Sequence, residues 1–224
     1  GLPVEICKNP KEREFLVNLM TGKHEISPGR VVEVKSVEVI PQPLGSFLAA
    51  IDETLADKGS FSQETILILD PGFYSFDFAL ISSGALVKNL CGNNHHAMSV
   101  VLEHIKGVIE KENGGHIPIQ ILESIIRSGD EEIYIRGEKR PISKYLEHAK
   151  KAVADLAVKD VLNRLRNSGL SANKVIVTGG GARFWADSVS SGFSDAEIVV
   201  MNDSVNANAR GYLQHARTGY EQAA

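Results

Sequence analysis

Thr65-Ile66-Leu67-Ile68-Leu69-Asp70-Pro71-Gly72-Phe73-Tyr74-Ser75-Phe76-Asp77 is the stretch on which the fold turns. From Ile66 to Leu69 every position is apolar. Such a run suits a strand covered on both faces, as in a parallel sheet between layers of helices. The strand delivers Asp70 to its C-terminal end, and Gly72 lets the backbone bend tightly just beyond. Ligands of open α/β sheets bind beyond the carboxyl ends of strands. Backbone N–H groups in such a bend form a nest for an anion. An Asp beside bound phosphates can hold Mg²⁺, usually through its waters. Taken alone, Asp70-Pro71-Gly72 also fits a plain turn.

Outward from this stretch, the second half of the chain repeats the pattern. Val175-Ile176-Val177 reads as another buried strand, and Thr178-Gly179-Gly180-Gly181-Ala182 follows it. Consecutive glycines are costly in regular elements, about 1 kcal/mol each against Ala. A flat ring or a phosphate lying on bare backbone is the usual reason for such an opening, although a flexible turn before a helix has the same composition. A short helix and a strand over Glu197–Met201 complete a βαβ unit.

Between and around these loops, residues 31–40 alternate β-branched and polar side chains, which predicts a strand ended by Pro41-Gln42-Pro43. Leu44, Phe47, Leu48, Ile51 and Leu55 then fall at helical spacing, with Gly59-Ser60 as the break. Phe76–Ile81 and Ala85–Val87 flank Ser82-Ser83-Gly84 as a hairpin. Met98, Val101, Leu102, Ile105, Val108 and Ile109 form an amphipathic helix ended by Gly114-Gly115. Residues 128–141 are polar and read as an exposed hairpin or loop. A long helix is expected from Ser143 to Asn167, and a last one from Asn202-Asp203-Ser204 onward.

The 224 residues are 43% hydrophobic and 23% charged, with a net charge of -4. That is an ordinary globular composition, large enough to bury a core without disulfides or metals. The charge gives no footprint for nucleic acid or an anionic membrane. No apolar run approaches the roughly 20 residues that span a bilayer. The two cysteines, Cys7 and Cys91, have no paired spacing, which points to a reducing, cytoplasmic setting.

Two glycine loops about 110 residues apart, separated by a hairpin and two helices, resemble the actin/Hsp70/sugar-kinase superfamily. Within it, Asp70-Pro71-Gly72-Phe73-Tyr74-Ser75-Phe76-Asp77, Thr178-Gly179-Gly180-Gly181-Ala182 and Ala207-Asn208-Ala209-Arg210-Gly211-Tyr212-Leu213 are similar to the ParM/StbA plasmid-segregation family. The resemblance implies an α/β, actin-like (ribonuclease H-like) fold with a mixed sheet and flanking helices. The start at Gly1-Leu2-Pro3 implies a fragment that lacks the N-terminal part of the first lobe, and with it the first phosphate loop. Residues 1–65 would be the rest of that lobe. Residues 66–200 would form the second lobe with both loops, and residues 201–224 a helix returning to the first.

The resemblance also implies the site. ATP or GTP would lie against Asp70, Gly72, Ser75, Gly179, Gly180 and Gly181, with Asp70 holding Mg²⁺ and acting in catalysis. Gln42 stands where relatives keep the residue that orients the attacking water, and a Gln in a proline turn accounts for it equally well. Tyr74-Ser75 departs from the two threonines of many relatives. The implied function is nucleotide-driven filament formation in plasmid segregation, through an adaptor protein on the DNA, with no direct nucleic-acid or membrane contact. Hydrolysis is expected of the full-length protein and not of the fragment. A small-molecule kinase of the same superfamily and a non-catalytic FtsA-like scaffold are the alternatives. Asp203, Asn206 and Asn208 read as caps and surface polar residues. His95-His96 reads as a solvated loop pair, and Gly211 as a close-approach residue within a helix.

Overall fold

The computed structural model describes residues 1–54 and 64–223. In chain order the elements are α1 (Val4–Cys7), α2 (Pro10–Met20), β1 (Gly22–Ser27), β2 (Arg30–Val34), α3 (Gln42–Thr54), β3 (Thr65–Pro71), β4 (Phe76–Ser82) and β5 (Ala85–Asn94). These are followed by α4 (Met98–Asn113), α5 (Ile119–Ser128), β6 (Glu132–Ile135), β7 (Glu138–Pro141), α6 (Ser143–Ala149), α7 (Asp155–Ser168), β8 (Lys174–Val177), α8 (Ala182–Gly192), β9 (Glu197–Val200) and α9 (Ala207–Ala223).

Five strands form one mixed sheet in the order β5-β4-β3-β8-β9. The pairs β3–β4 and β4–β5 are antiparallel, whereas β3–β8 and β8–β9 are parallel. Alternation along β3 sorts its side chains between two cores. Ile66 and Ile68 join Phe47, Ala50, Ile81, Ile176 and Ala207 beneath α3 and α9. Leu67 and Leu69 join Phe76, Leu102, Ile105, Trp185 and Val189 beneath α4 and α8. Successive strand residues point to opposite faces, so a strand covered on both sides must be apolar throughout. Ile66, Leu67, Ile68 and Leu69 are at most 1% exposed. Each contributes about 1.5–3 kcal/mol through transfer from water. An Asp at Ile68 would put an unpaired charge there.

Several expectations shift in place. The β-like pattern of 31–40 yields a strand only to Val34, paired with β1. Residues 35–40 belong to no strand, since a pattern needs a neighbour to bond to. Leu2 supplies a single bridge, at Pro41. Gln42 therefore begins a helix and does not end a strand, with Pro43 in the first turn, where a missing N–H costs nothing. Leu55 and Gly59-Ser60, expected to carry and break that helix, lie outside the described residues. The second hairpin strand runs on to Asn94. The expected long helix from Ser143 is split into α6 and α7 by a π-helical turn, Lys150–Ala154. The last helix starts at Ala207, because residues 202–206 form turns. The helices α1, α2 and α5 and strand β1 have no counterpart in the sequence reading.

No helix among the described residues is long and apolar enough to cross a membrane. Cys7 and Cys91 are both free and buried.

Candidate functional site

The two glycine loops are side by side because β3 and β8 are parallel neighbours, with Leu69 paired to Val177. Both strands run out at the same edge of the sheet. Thr178 N–H donates to the Leu69 carbonyl over 2.9 Å, and Gly181 N–H to that of Pro71 over 2.9 Å. Within the first loop, Gly72 N–H donates to the Ser75 carbonyl, closing a turn at 2.8 Å. The N–H groups of Met98 and Ser99 reach the carbonyls of Gly72 and Phe73, so the start of α4 buttresses this turn.

The glycines divide by what surrounds them. Gly179 has φ +78°, and a Cβ there would overlap the Asp70 carboxylate. A Cβ on Gly181 would lie 2.9 Å from the Pro71 carbonyl oxygen and 2.9 Å from the Trp185 ring. Around Gly180 the space is open. Gly72, Gly180 and Gly181 share the wall of one cleft of about 1200 Å³ with Phe73, Lys150 and Phe184. Residues Asn202–Val205 line its edge. Lys150 stands at the start of the π-helical turn, a kind of bulge often found at functional sites. Its ammonium is held by Asp187 at 2.8 Å and Glu147 at 3.2 Å, and the Asp187 hydrogen bond is the main reason its pKa is raised.

Asp70 lies behind this wall, 3% exposed. Its Oδ2 accepts a hydrogen bond from Asn208 Nδ2 at 2.7 Å. Burial pushes its pKa up to about 6, against the Asn208 bond, which lowers it, and with a further rise from Asp77. Asp77 is its cross-strand neighbour on β4. Burial raises Asp77 as well, and the Ser75 hydroxyl, which donates to its Oδ2 at 2.5 Å, is the first of the groups opposing that rise. Ser75 thus turns toward Asp77 and is absent from the cleft lining. Tyr74 is 79% exposed, its ring edge-on to Phe73. Gln42 stands at the start of α3, outside the cleft lining, with its N–H on the Leu2 carbonyl and its own carbonyl accepting from the Tyr212 hydroxyl.

Asn208 is the correction of most consequence. It is no surface cap, because it links Asp70 to Ser46 of α3, whose N–H and hydroxyl lie 2.9 and 2.8 Å from its Oδ1. Asn206 fills the capping role, accepting the Arg210 N–H, and its side chain donates to Asp203. Of the pair read as solvated, His95 is exposed in a loop, whereas His96 is half-buried, its Nδ1 shut off from solvent without a hydrogen-bond partner among the described residues.

No group of three His, Cys, Asp or Glu among the described residues is arranged to hold a metal. The donor set nevertheless fits a water-retaining cation beside phosphates. Asp70 is a buried carboxylate with no ion-pair partner among the described residues, and Mg²⁺ usually keeps most of its waters and takes one or two carboxylates. Bare backbone at Gly180, facing open space, fits a ring or a phosphate.

This sheet, with a glycine loop ending each of two adjacent parallel strands, has the architecture of an actin-like fold. Residues 68–191 match the family model described as archaeal actin homologue MreB-like, C-terminal, and residues 1–45 match the actin like proteins N terminal domain. The first match covers more than half of the chain, and the chain belongs to this actin-like family. Among solved structures, it is similar to Ta0583, an archaeal actin homolog, at 17% identity and a TM-score of 0.74. That match covers 84% of this chain and 58% of Ta0583. A Ta0583 complex with ADP gives a TM-score of 0.73 at 17% identity, over 84% of this chain and 60% of that one. The ParM of a 15-stranded filament from Clostridium botulinum gives 0.72 at 17% identity, over 97% of this chain and 65% of that one. At such identities the likeness establishes the fold. The chain spans about three-fifths of the Ta0583 structures' length. A search of curated proteins by sequence finds no match.

Proposed function

We propose that this chain supplies the second phosphate loop and the adenosine loop of an actin-like ATPase that binds ATP or GTP with Mg²⁺ between two lobes and assembles into filaments. The observation that carries the reading is the meeting of the Asp70-Pro71-Gly72 and Gly179–Gly181 loops at one sheet edge, where Gly72, Gly180 and Gly181 face one cleft. Residues 1–65 would contribute part of the first lobe, 66–200 the second, and 201–224 a helix returning toward the first. Filament formation draws support from the ParM filament among the similar folds, and nucleotide binding from the ADP complex of Ta0583.

In this reading Gly180 offers open backbone to the nucleoside, with Gly181 and Lys150 on the same wall. Gly72 and Ser75 belong to the turn that cradles the phosphates. Asp70, ionised at neutral pH despite its raised pKa, would hold Mg²⁺ through water. When bound, the cation neutralises the charge that develops on the β- and γ-phosphates. Gln42, whose amide both donates and accepts, would orient the attacking water. Plasmid segregation through a DNA-bound adaptor, in the cytoplasm, is the proposed setting, since a net charge of -4 gives no direct grip on DNA.

Trp185, the single tryptophan, lies under Gly181 with its ring fully buried and reports on the loop. Full-length protein titrated with ATP or GTP and Mg²⁺ is expected to change Trp185 fluorescence and to sediment as polymer. Neither nucleotide binding nor polymer with either nucleotide would overturn the reading.

A further inference from the structure

Asn208 is a link in a polar chain that runs from Asp70 through Ser46 and Thr178 to the Ser204 carbonyl. Its Oδ1 lies 2.9 Å from the Ser46 N–H and 2.8 Å from the Ser46 hydroxyl, so this end of the amide is the acceptor and the NH₂ end must face Asp70. The Ser46 hydroxyl also lies 3.1 Å from Thr178 Oγ1, which donates to the Ser204 carbonyl. Its single proton serves one acceptor at a time. One amide thereby touches α3 and the end of β3, from a position in the first turn of α9.

The same residue lies at the crossing of α3 and α9. A Cβ on Gly45 would come 2.7 Å from the Asn208 carbonyl oxygen, and one on Gly211 would overlap the Gly45 carbonyl. Gly211 is three residues after Asn208, and Ser46 directly follows Gly45. Any sliding of α3 against α9 therefore acts on the amide that holds Asp70. The donor is neutral. A Lys or Arg in its place would neutralise the carboxylate and compete with a cation, whereas an amide fixes one oxygen and leaves the charge.

We infer that Asn208 is a positioning residue, which orients Asp70 for its ligand and couples that carboxylate to the α3–α9 crossing. The inference rests on the nucleotide reading above. Outer partners that orient a ligating carboxylate typically change metal affinity or activity 10–100-fold when removed.

The test compares full-length wild type with Asn208→Ala and the near-isosteric Asn208→Leu, which keeps the bulk and removes the donor. Expected for both are a kcat about 10–100-fold lower and a Mg²⁺ half-saturation about tenfold higher. Magnesium-free nucleotide affinity, read from Trp185 fluorescence, stays within about threefold, and thermal unfolding stays cooperative. Variants within twofold of wild type in kcat and Mg²⁺ dependence would overturn the inference while the nucleotide reading stands. Loss of nucleotide affinity and thermal stability in step with kcat would also overturn it, showing a purely structural role. Should the Asn208 variants not fold, Ser46→Ala removes one of the two donors that fix the amide, and is expected to raise the Mg²⁺ half-saturation with nucleotide affinity kept. An unchanged value there overturns the coupling. A wild type that binds no nucleotide removes the functional reading and this inference together.

Discussion

Gly45 of α3 and Gly211 of α9 meet backbone to backbone, with no room for a methyl group on Gly211. Ala is the better helix former by about 1 kcal/mol. Overpacking against a carbonyl that cannot rotate away costs about 1–3 kcal/mol. Gly211→Ala is therefore expected to lose up to about 2 kcal/mol in urea unfolding of this chain. A gain in stability would mean that the helices separate freely.

Two adjacent glycines should behave in opposite ways. Gly179→Ala strains a left-handed residue and drives a Cβ into the Asp70 carboxylate, so a loss of about 2 kcal/mol or more is expected. Gly180→Ala meets no neighbour and should stay within about 0.5 kcal/mol of the parent. In the full-length protein its methyl would still stand on the cleft wall and lower nucleotide affinity about tenfold, a loss of some 1.4 kcal/mol. Chemical denaturation and Trp185 fluorescence separate the two effects.

Asp70 makes stability depend on pH in an uncommon direction. A carboxylate raised from 3.8 to about 6 binds its proton more tightly when folded, so ionisation weighs against the fold. That penalty is absent below the unfolded value. It grows as pH rises toward 6 and is complete above it, reaching 1–3 kcal/mol on the order of the shift. Asp70→Asn should stabilise the nucleotide-free chain by about that amount at pH 7.5 and by almost nothing at pH 4. In the full-length protein the same change should reduce Mg²⁺-dependent turnover by about 10²-fold or more. A variant as active as wild type would remove Asp70 from the site.

His104 and His148 stack between α4 and α6, with Nε2 and Nδ1 2.6 Å apart. One proton bridges them and two repel. Burial, then His148, lowers the His104 pKa, so the neutral form belongs to the fold. The contact is kept above the ordinary histidine value near 6.5 and weakens as pH falls below it. Amide exchange of residues 98–113 and 143–149 should quicken at pH 5.5 relative to 7.5. His148→Phe, which keeps a ring and removes the charge, should abolish that difference.

What the sequence disclosed was whatever depends on near neighbours. The apolar run Ile66–Leu69 of β3, the bend after Asp70, the triple glycine and the stripe of α4 are local patterns, and the structure carries each of them. Partnership was less legible. Residues 35–40 look like a strand and lack one to pair with. Asn208 looks like a cap because its partners, Asp70 and Ser46, lie 138 and 162 residues away. The amphipathic run of α5, in contrast, is legible in Ile119, Leu122, Ile125 and Ile126. Nothing in Lys150–Ala154 announces a π-helical turn, which answers to packing between α4 and α8.

The helix α9 follows every strand among the described residues, and its Ala207 joins α3 over one face of β3 and β8. Until it emerges from the ribosome, the core around Ile66, Ile68 and Ile176 lacks Ala207. The nascent polypeptide therefore carries a sticky, unfinished surface until α9 is made, and that helix acts as its lid.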